Sequence, residues 1–263
     1  MLKCCSLYSG STGNSFFVQT ENTKLLIDAG VSCKKIETAL DSLNFSPSDI
    51  DAILITHEHI DHTKSVAMLS SKYNIPVYTN LETWKVLLPI NKKFLNIKAN
   101  FFKTDETFKI NDLKILPFST PHDAVNPCGF NIIKDNKKIS IATDLGHISN
   151  NVIKSLEGSS FVMLEANYDS NVLQYSSYPY LLKQRISGPK GHLENGITGK
   201  TIAHLINSGL EKALLIHLSK ENNFPELAYK TVVEELQKQN YKGNDISLDV
   251  APRNSPSNFF QVV

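Results

Sequence analysis

Residues 56–65, THEHIDHTKS, hold three histidines, one glutamate and one aspartate between positions 57 and 62. The whole chain of 263 residues has only eight histidines. The cluster directly follows residues 52–55, AILI, an apolar run with the composition of a buried strand. Titratable groups at the end of such a strand are costly unless something pairs with them, and metal ions would do so. This stretch therefore predicts a metal-binding loop after a core strand.

Length and composition describe an ordinary globular chain. With 263 residues, 41% hydrophobic and 20% charged, it can bury a full core, and no low-complexity linker or repeat divides it. We expect one domain over residues 1–263. The net charge of +1 creates no overall field toward nucleic acid or an anionic membrane, so composition alone leaves a phosphate-bearing substrate open.

Cysteine usage and hydropathy indicate the compartment. The four cysteines, Cys4, Cys5, Cys33 and Cys128, have neither metal-binding CxxC spacing nor the density of a secreted disulfide scaffold. The first residues do not resemble a signal peptide, and no stretch approaches the roughly 20 apolar residues that span a bilayer. A cytoplasmic protein without a membrane partner is the expectation.

Short apolar runs alternate with amphipathic segments of helical length along the chain. The predicted helices lie near residues 32–43, 61–73, 81–88, 179–187, 196–208 and 225–239. The first third is rich in hairpins, and the later part mixes strands with helices. This pattern predicts sheets packed face to face with helices outside.

The motif His57-x-His59-x-Asp61-His62 can serve two ions. His57 and His59 follow the strand and can share one ion, while Asp61 and His62 open a helix and can face a second. Mixed imidazole and carboxylate ligands favour zinc, manganese or iron over calcium or magnesium. We expect two divalent metal ions, with zinc the first choice.

Three later strands end in the same way as the strand before the motif. Residues 113–122 end at His122, residues 138–144 at Asp144 and residues 212–217 at His217. Together with the motif they supply seven ligands for two ions. Asp144 suits the bridging position, because one carboxylate can give one oxygen to each of two metals about 3.5–4 Å apart. By itself, His122 between Pro121 and Asp123 is equally consistent with a surface loop.

These residues resemble the metallo-β-lactamase-fold hydrolases over nearly the whole chain, since His57, His59, Asp61 and His62 match the HxHxDH motif of that family. The resemblance implies an α/β (α+β) fold, a four-layer αββα sandwich of two mixed sheets with helices outside. It also implies one metal on His57, His59 and His122, a second on Asp61, His62 and His217, and Asp144 between them.

Differences between this sequence and other branches of the family narrow the choice of branch. True β-lactamases lack the histidine that His62 represents and use a later cysteine, whereas flavodiiron proteins have a glutamate where this chain has His59. The segments Phe161-VMLEANYD and Gly188-PKGHLEN look like the ribonuclease Z-related phosphodiesterases, in particular the single-domain YycJ or WalJ group. The chain has no insertion of the size that β-CASP ribonucleases carry. The resemblance implies a catalytic dyad of Glu165 and His192.

Other interpretations of these residues remain open. Glu165 could cap a helix that starts near Asn167, and His192 could be a loop residue steadied by Glu194. Candidate substrate contacts are Ser11 and Asn14 in the glycine-containing turn Ser9-GSTGN, and Lys190 and Asn195 on either side of His192. Tyr175-SSYPYLLKQR could stack bases and bind phosphates through Lys183 and Arg185, or could form a solvated helix.

The function predicted from these features is metal-dependent phosphodiester hydrolysis, with DNA ends as the expected substrate. Asp61 would orient the attacking hydroxide, and protonated His192, supported by Glu165, would stabilise the transition state or protonate the leaving oxygen. Two alternatives stay open: a phosphodiesterase for small molecules such as cyclic nucleotides, and a non-catalytic signalling or scaffold protein. The second alternative predicts damaged ligands. The sequence leaves the oligomeric state undefined.

Overall fold

The computed structural model describes residues 1–242 and 245–262. Within these residues the strands are β1 Leu2–Tyr8, β2 Ser15–Gln19, β3 Lys24–Ile27, β4 Ala52–Leu54, β5 Val77–Asn80, β6 Ala99–Phe102, β7 Phe108–Ile110, β8 Leu113–Ser119, β9 Cys128–Lys134, β10 Lys137–Ala142, β11 Phe161–Glu165, β12 Lys212–Ile216, β13 Ser247–Val250 and β14 Phe260–Val262. The α-helices are α1 Cys33–Ser42, α2 Ile60–Thr63, α3 Val66–Tyr73, α4 Leu81–Ile90, α5 Asn150–Leu156, α6 Ser170–Tyr175, α7 Tyr180–Ile186, α8 Asn195–Ile206 and α9 Pro225–Lys238. Short 3₁₀ helices cover Pro47–Asp49 and Lys92–Asn96.

The strands form two sheets of seven, each part antiparallel and part parallel. The first sheet has the order β14-β1-β2-β3-β4-β5-β6, and the second has the order β13-β12-β11-β10-β9-β8-β7. In the first sheet the strands from β3 to β6 are parallel, and in the second those from β10 to β13 are parallel. The remaining neighbours pair antiparallel. Both sheets are therefore mixed, as predicted.

The central strands bury both of their faces. Along β2, Phe16 and Val18 pack between the sheets while Phe17 packs under the helices, as expected from the two-residue period of a strand. Strand β3 repeats the pattern, since Leu26 faces the helices and its two neighbours face the other sheet. Burial on both faces explains why these strands are continuous apolar runs rather than alternating ones.

Three clusters of buried side chains define four layers. One lies between the sheets and joins residues such as Phe16 with Phe130 and Met163. A second lies between the first sheet and α1, α3 and α4, and the third between the second sheet and α5, α8 and α9. The predicted αββα sandwich with helices outside is confirmed.

Some local predictions differ from the structure. The single helix predicted over residues 61–73 is two helices, α2 and α3, separated at Lys64 and Ser65. The strands β6 and β7 and the helix α5 were not among the predicted elements, because their short segments show little periodicity. Helix α6 begins at Ser170 and is capped by Asp169, so the alternative in which Glu165 caps a helix near Asn167 is wrong. The apolar residues 258–263, NFFQVV, also predict a strand; β14 is observed there, and residue 263 lies outside the described residues. No helix in the described part of the chain has the length and hydropathy needed to cross a bilayer.

The topology brings the carboxyl ends of several strands to one edge of the sandwich. Strands β10, β11 and β12 are parallel neighbours, so the residues that follow them lie side by side. Strand β8 runs in the same direction, because it is antiparallel to β9, which is antiparallel to β10. In the first sheet, β3 and β4 are likewise parallel and end together. Every predicted ligand follows one of these ends.

Candidate metal centre

The first group of predicted ligands is a cluster of three histidines. His57 and His59 lie between β4 and α2, and their rings are 4.6 Å apart between centroids. His122, beyond the end of β8, lies 5.1 Å from each of them by the same measure. His122 Nε2 and His59 Nδ1 face each other at 3.3 Å. The structure thus places His122 in the cluster and not on a surface loop.

The second group joins the start of α2 to the end of β12. Asp61 Oδ2 lies 3.4 Å from His62 Nε2 and 3.8 Å from His217 Nε2. The backbone here is tightly packed: a Cβ on Gly30 would lie 1.6 Å from the carbonyl oxygen of Asp61, so only glycine fits at this contact. The start of α2 is therefore held against the loop that follows β3.

Asp144 lies between the two groups. Its Oδ1 is 3.6 Å from His122 Nε2, on the side of the first group. Its Oδ2 is 3.1 Å from His62 Nε2, on the side of the second group. One carboxylate thus presents one oxygen to each group, which is the arrangement a bridging ligand requires.

Three residues of the site share an unusual backbone conformation. Asp28, Asp144 and His217 have φ angles of 61°, 58° and 56°, in the left-handed region. Asp28 and His217 directly follow β3 and β12, and Asp144 follows β10 by two residues. Aspartate and histidine tolerate this region better than most residues, but it still costs about 1–3 kcal/mol at each position. The sharp turns direct side chains into the site instead of along the strand.

Hydrogen bonds at Nδ1 leave Nε2 of the histidines available as a ligand atom. His57 donates through Nδ1 to Thr56 Oγ1 (2.9 Å), and His62 donates through Nδ1 to Asp28 Oδ2 (2.7 Å). His122 donates through Nδ1 to the carbonyl of Gly191 (3.0 Å). Metal-binding histidines are commonly held by such bonds, which select the tautomer with an unprotonated Nε2.

The protonation states also fit metal binding. Burial lowers the pKa of His57 well below its usual value, and burial likewise lowers the pKa of His122. Both imidazoles are therefore neutral and can act as ligands. The Nε2 of His57 is buried without a hydrogen-bond partner among the described residues. A buried polar atom of this kind is costly unless a partner such as a cation occupies the space before it.

The carboxylates make the centre attractive to cations. Burial opposes a charge on His62, but Asp144, Asp61 and Asp28 around it raise its pKa well above the usual value. Burial also opposes ionisation of Asp144, yet His217 and His62 hold its pKa well below the usual value. The carboxylates therefore favour positive charge at Nε2 of His62, and a divalent ion held there would supply this charge in place of the proton.

Asp28 was not predicted as part of the site from the sequence. This fully buried residue accepts hydrogen bonds from the Thr56 amide (2.9 Å) and hydroxyl (2.8 Å) as well as from His62. Asp28 thus orients His62, a predicted ligand. It does not belong to any group of described residues whose side chains are close enough to share a metal ion. A signal was present, since residues 24–28, KLLID, show the same apolar strand ending in an acidic residue as the segment that ends at Asp144.

Replacing Asp28 with asparagine should weaken metal binding by about 10- to 100-fold, the usual effect of removing a partner that orients a ligand. The amide keeps the size of the side chain but cannot accept all three hydrogen bonds as a carboxylate does. Metal affinity measured by competition with a chromophoric chelator checks this result. An affinity equal to that of the unmodified protein would show that Asp28 does not orient His62.

The predicted dyad is formed next to the metal centre. His192 Nδ1 donates to Glu165 Oε1 at 2.7 Å, and the other oxygen of Glu165 accepts from the Leu145 amide at 2.5 Å. Burial disfavours the charged form of His192, but the Glu165 carboxylate and then Asp144 raise its pKa to about 9. His192 is therefore protonated at neutral pH. The side chain is one quarter exposed, so solvent and substrate can reach it.

Glu165 and His192 could also be considered as ligands. Side-chain atoms of Asp144, Glu165, His192 and His217 lie within 4.8 Å of one another. However, Glu165 uses both of its oxygens for the hydrogen bonds to His192 and Leu145. Glu165 and His192 therefore hydrogen-bond to each other and are not assigned as ligands. In contrast, His57 Nε2 has no hydrogen-bond partner in the described part of the chain.

A cleft of about 200 Å³ opens beside the dyad. Ser11, Asp123, Arg185 and His192 are among the residues that line it. Arg185 Nε donates to Asp123 Oδ2 at 2.7 Å, so its charge is partly compensated. Ser11 is exposed at the wall of the cleft, where a substrate contact was expected.

Two of the other expected substrate contacts have structural roles. Asn14 is fully buried, accepts from the Gly10 amide (2.9 Å) and lies 3.2 Å from His62 Nε2. Asn195 is also fully buried and pairs with Asn223 through two amide hydrogen bonds of 3.1 and 2.9 Å. Both side chains are buried and hydrogen-bonded inside the fold, so their contact with substrate stays a prediction. Lys190 is exposed on the loop before His192 but is not among the residues lining the cleft.

Fold and site together define a metallo-β-lactamase-fold protein with clusters of histidine and aspartate suited to binding divalent metal ions. Residues 23–218 match the family model described as the beta-lactamase superfamily domain. Exodeoxyribonuclease WalJ of Streptococcus pneumoniae strain D39 is 40% identical over 88% of this chain and 86% of its own length. Exodeoxyribonuclease YycJ of Bacillus anthracis is 33% identical over 89% of both chains.

The chain belongs to the beta-lactamase superfamily and, within it, to the family of the WalJ and YycJ proteins. The resemblance inferred from the sequence motifs is thereby confirmed. Among solved structures, the metallo-β-lactamase fold protein YhfI of Bacillus subtilis superposes with a TM-score of 0.74 over 97% of this chain and 98% of that one. At 15% identity this likeness concerns the fold alone.

Proposed function

We propose that this protein is a binuclear metal-dependent phosphodiesterase that removes nucleotides from DNA ends. The observation that carries the proposal is the position of Asp144, with one oxygen toward each of two ligand groups and the His192–Glu165 pair beside it. The activity printed in the names of the WalJ and YycJ relatives supports DNA as the substrate and exonucleolytic cleavage as the reaction.

In this proposal one ion would be held by His57, His59 and His122 and the other by Asp61, His62 and His217, and Asp144 would offer one carboxylate oxygen to each group. When bound, the ions supply Lewis acidity to a phosphate oxygen and lower the pKa of a water molecule to about 7. Zinc fits this mixture of imidazole and carboxylate ligands, as do manganese and iron.

The remaining steps use the protein's own side chains. Asp61 is 23% exposed and faces His62 and His217, so its carboxylate can orient an attacking water while it serves as a ligand. His192 has Nδ1 bound to Glu165, which leaves Nε2 to deliver a proton to the leaving oxygen or to stabilise charge on the phosphorane. Glu165 keeps the imidazole charged and fixes its orientation.

The volume of the cleft favours a DNA strand over a small phosphodiester as the substrate. Pockets that enclose small ligands usually measure about 300–1,000 Å³, whereas the cleft beside His192 measures about 200 Å³. The cleft by itself is therefore too small to enclose a cyclic nucleotide, whereas a DNA strand extends beyond it. The scaffold alternative is disfavoured because all seven ligand positions keep ligand-type side chains.

Metal analysis of the purified protein combined with cleavage of labelled DNA tests the proposal. We expect two bound ions per chain, release of mononucleotides from end-labelled linear DNA, and loss of this activity after chelation with recovery on adding metal. Circular single-stranded DNA of the same composition, which has no ends, is the matched control and should resist cleavage. Hydrolysis of a cyclic nucleotide without cleavage of linear DNA would support the small-molecule alternative instead.

A further inference from the structure

Helices α6 and α7 carry aromatic side chains that the core does not use. None of the seven residues of α7 is buried, and Tyr180 at its start is 71% exposed. Solvent exposure of large apolar groups on neighbouring elements marks a binding surface more often than a structural one. Residues 175–185 are the segment for which the sequence predicted either base stacking or a solvated helix. Tyr178 of this segment lines the cleft beside His192.

A cavity of about 570 Å³ lies between these helices. Tyr168, Leu173, Tyr178 and Tyr180 provide most of its apolar lining, and Gln174 and Gln184 add amide groups. Its volume is in the range of about 300–1,000 Å³ that is typical of sites for compact organic ligands. Flat aromatic rings together with amides that can donate and accept hydrogen bonds match the face and the edge of a nucleobase.

This cavity adjoins the catalytic cleft. Tyr178 lines both spaces. Helix α7 also reaches from one to the other, because the carbonyl of Ile186 at its end accepts from the amide of His192 at 2.8 Å. A strand whose phosphodiester lies at His192 can therefore place a neighbouring base in the cavity without leaving the protein surface.

The turn between α6 and α7 is held in place. Lys183 Nζ donates to the carbonyls of Gln174 and Ser176, both at 2.7 Å. Gln184 Nε2 donates to the Tyr180 hydroxyl, also at 2.7 Å. The bond from Gln184 orients the Tyr180 ring, and the bonds from Lys183 fix the turn, before any ligand arrives, which reduces the entropy that binding would otherwise cost. The charge of Lys183 remains beside the cavity and favours a phosphate-bearing ligand.

We propose that the cavity between α6 and α7 is a nucleobase subsite, in which the base of a nucleotide next to the scissile phosphodiester stacks on Tyr180 and Tyr178. This inference rests on the proposed function and specifies its substrate. A base can enter the cavity only when it is unpaired and unstacked from its neighbours. At least this nucleotide must therefore be unpaired when the DNA end is bound.

The test compares Tyr180→Ala with the unmodified protein on two substrates, a single-stranded oligonucleotide and bis-p-nitrophenyl phosphate. Tyr180 is exposed, so its truncation leaves the core intact. We expect KM for the oligonucleotide to rise about tenfold or more, the scale of a lost stacking contact. Bis-p-nitrophenyl phosphate has no base, so its KM should change about tenfold less than the KM of the oligonucleotide. Tyr180→Phe keeps the ring and should restore oligonucleotide binding.

Tyr175→Ala is the matched control. Tyr175 lies at the end of α6 and is more exposed than Tyr180, but it is not among the described residues that line either cavity. Its truncation should change KM for the oligonucleotide less than about twofold. An equal loss in both variants would indicate a general apolar surface, for example for another protein, and would overturn the subsite.

Oligonucleotides with an abasic site at the terminal or the second nucleotide make the test specific for a base. One of these positions should weaken binding to the unmodified protein, and the same lesion should have little further effect in Tyr180→Ala. If the unmodified protein cleaves DNA but neither lesion matters, the subsite is wrong while the proposed function stands. If it hydrolyses bis-p-nitrophenyl phosphate but no DNA at all, the proposed function itself fails.

Discussion

Asp144→Asn is expected to reduce phosphodiester hydrolysis by about 100-fold or more and to lower the metal content. Even residues that only orient a ligand cost about 10- to 100-fold when replaced, and Asp144 is proposed to contact both ions directly. Asparagine has the same size but only one oxygen, so it cannot offer an oxygen to each of the two ligand groups that Asp144 now faces. Steady-state rates with bis-p-nitrophenyl phosphate and elemental analysis measure the two effects.

His204→Ala provides the control for this variant. His204 lies on α8, is about half exposed, and pairs with Glu157 away from the ligand groups. Its loss should leave both the rate and the metal content unchanged. Full activity in Asp144→Asn with two ions still bound would falsify the bridging role, and with it the binuclear mechanism.

His192→Ala is expected to lower the rate by about 10²–10⁴, the usual contribution of a positioned general acid. The reason is that His192, whose pKa is raised to about 9, lines the cleft and lies 3.7 Å from Asp144, where it can give a proton to a leaving oxygen. Its side chain is outside the two proposed ligand groups, so the metal content should not change. Single-turnover cleavage of labelled DNA and elemental analysis together separate loss of proton transfer from loss of metal.

Glu165→Gln gives an independent measure of the same pair. The amide still fills the buried space and can accept a hydrogen bond, but it no longer stabilises the charge on His192. We expect a smaller loss than in His192→Ala, and almost no further loss when both residues are replaced, because they act as one unit. Losses that multiply in the double variant would mean that the two residues act separately.

The agreement between sequence and structure is closest where the polypeptide itself constrains the geometry. His57, His59, Asp61 and His62 are close because a strand and a short helix meet within six residues, and this proximity needs no tertiary contact. The later candidates His122, Asp144 and His217 were found by their position after apolar strands. The structure brings these residues close together, because parallel strands in one sheet end at the same edge.

The disagreements concern side chains whose partners are distant in the sequence or inside the fold. Asn14 and Asn195 look like surface residues in a polar turn and before a helix, yet they bond to Gly10 and Asn223 in the interior. Asp28 looked like an ordinary strand end until the Thr56 amide and His62 were seen to converge on it. Polarity predicts exposure only when the chain provides no buried partner.

The amino-acid sequence alone determined the order of most strands and helices, the layered fold and the inventory of metal-binding side chains, because periodicity and strand-end chemistry are local properties. Only the tertiary structure decided that His62 and His122 bond through Nδ1 to Asp28 and Gly191, that Asp144 divides its oxygens between two groups, and that Tyr178 lines both the cleft and a second cavity. Those features depend on distances between segments that are tens of residues apart, and such distances arise only when the two sheets pack together.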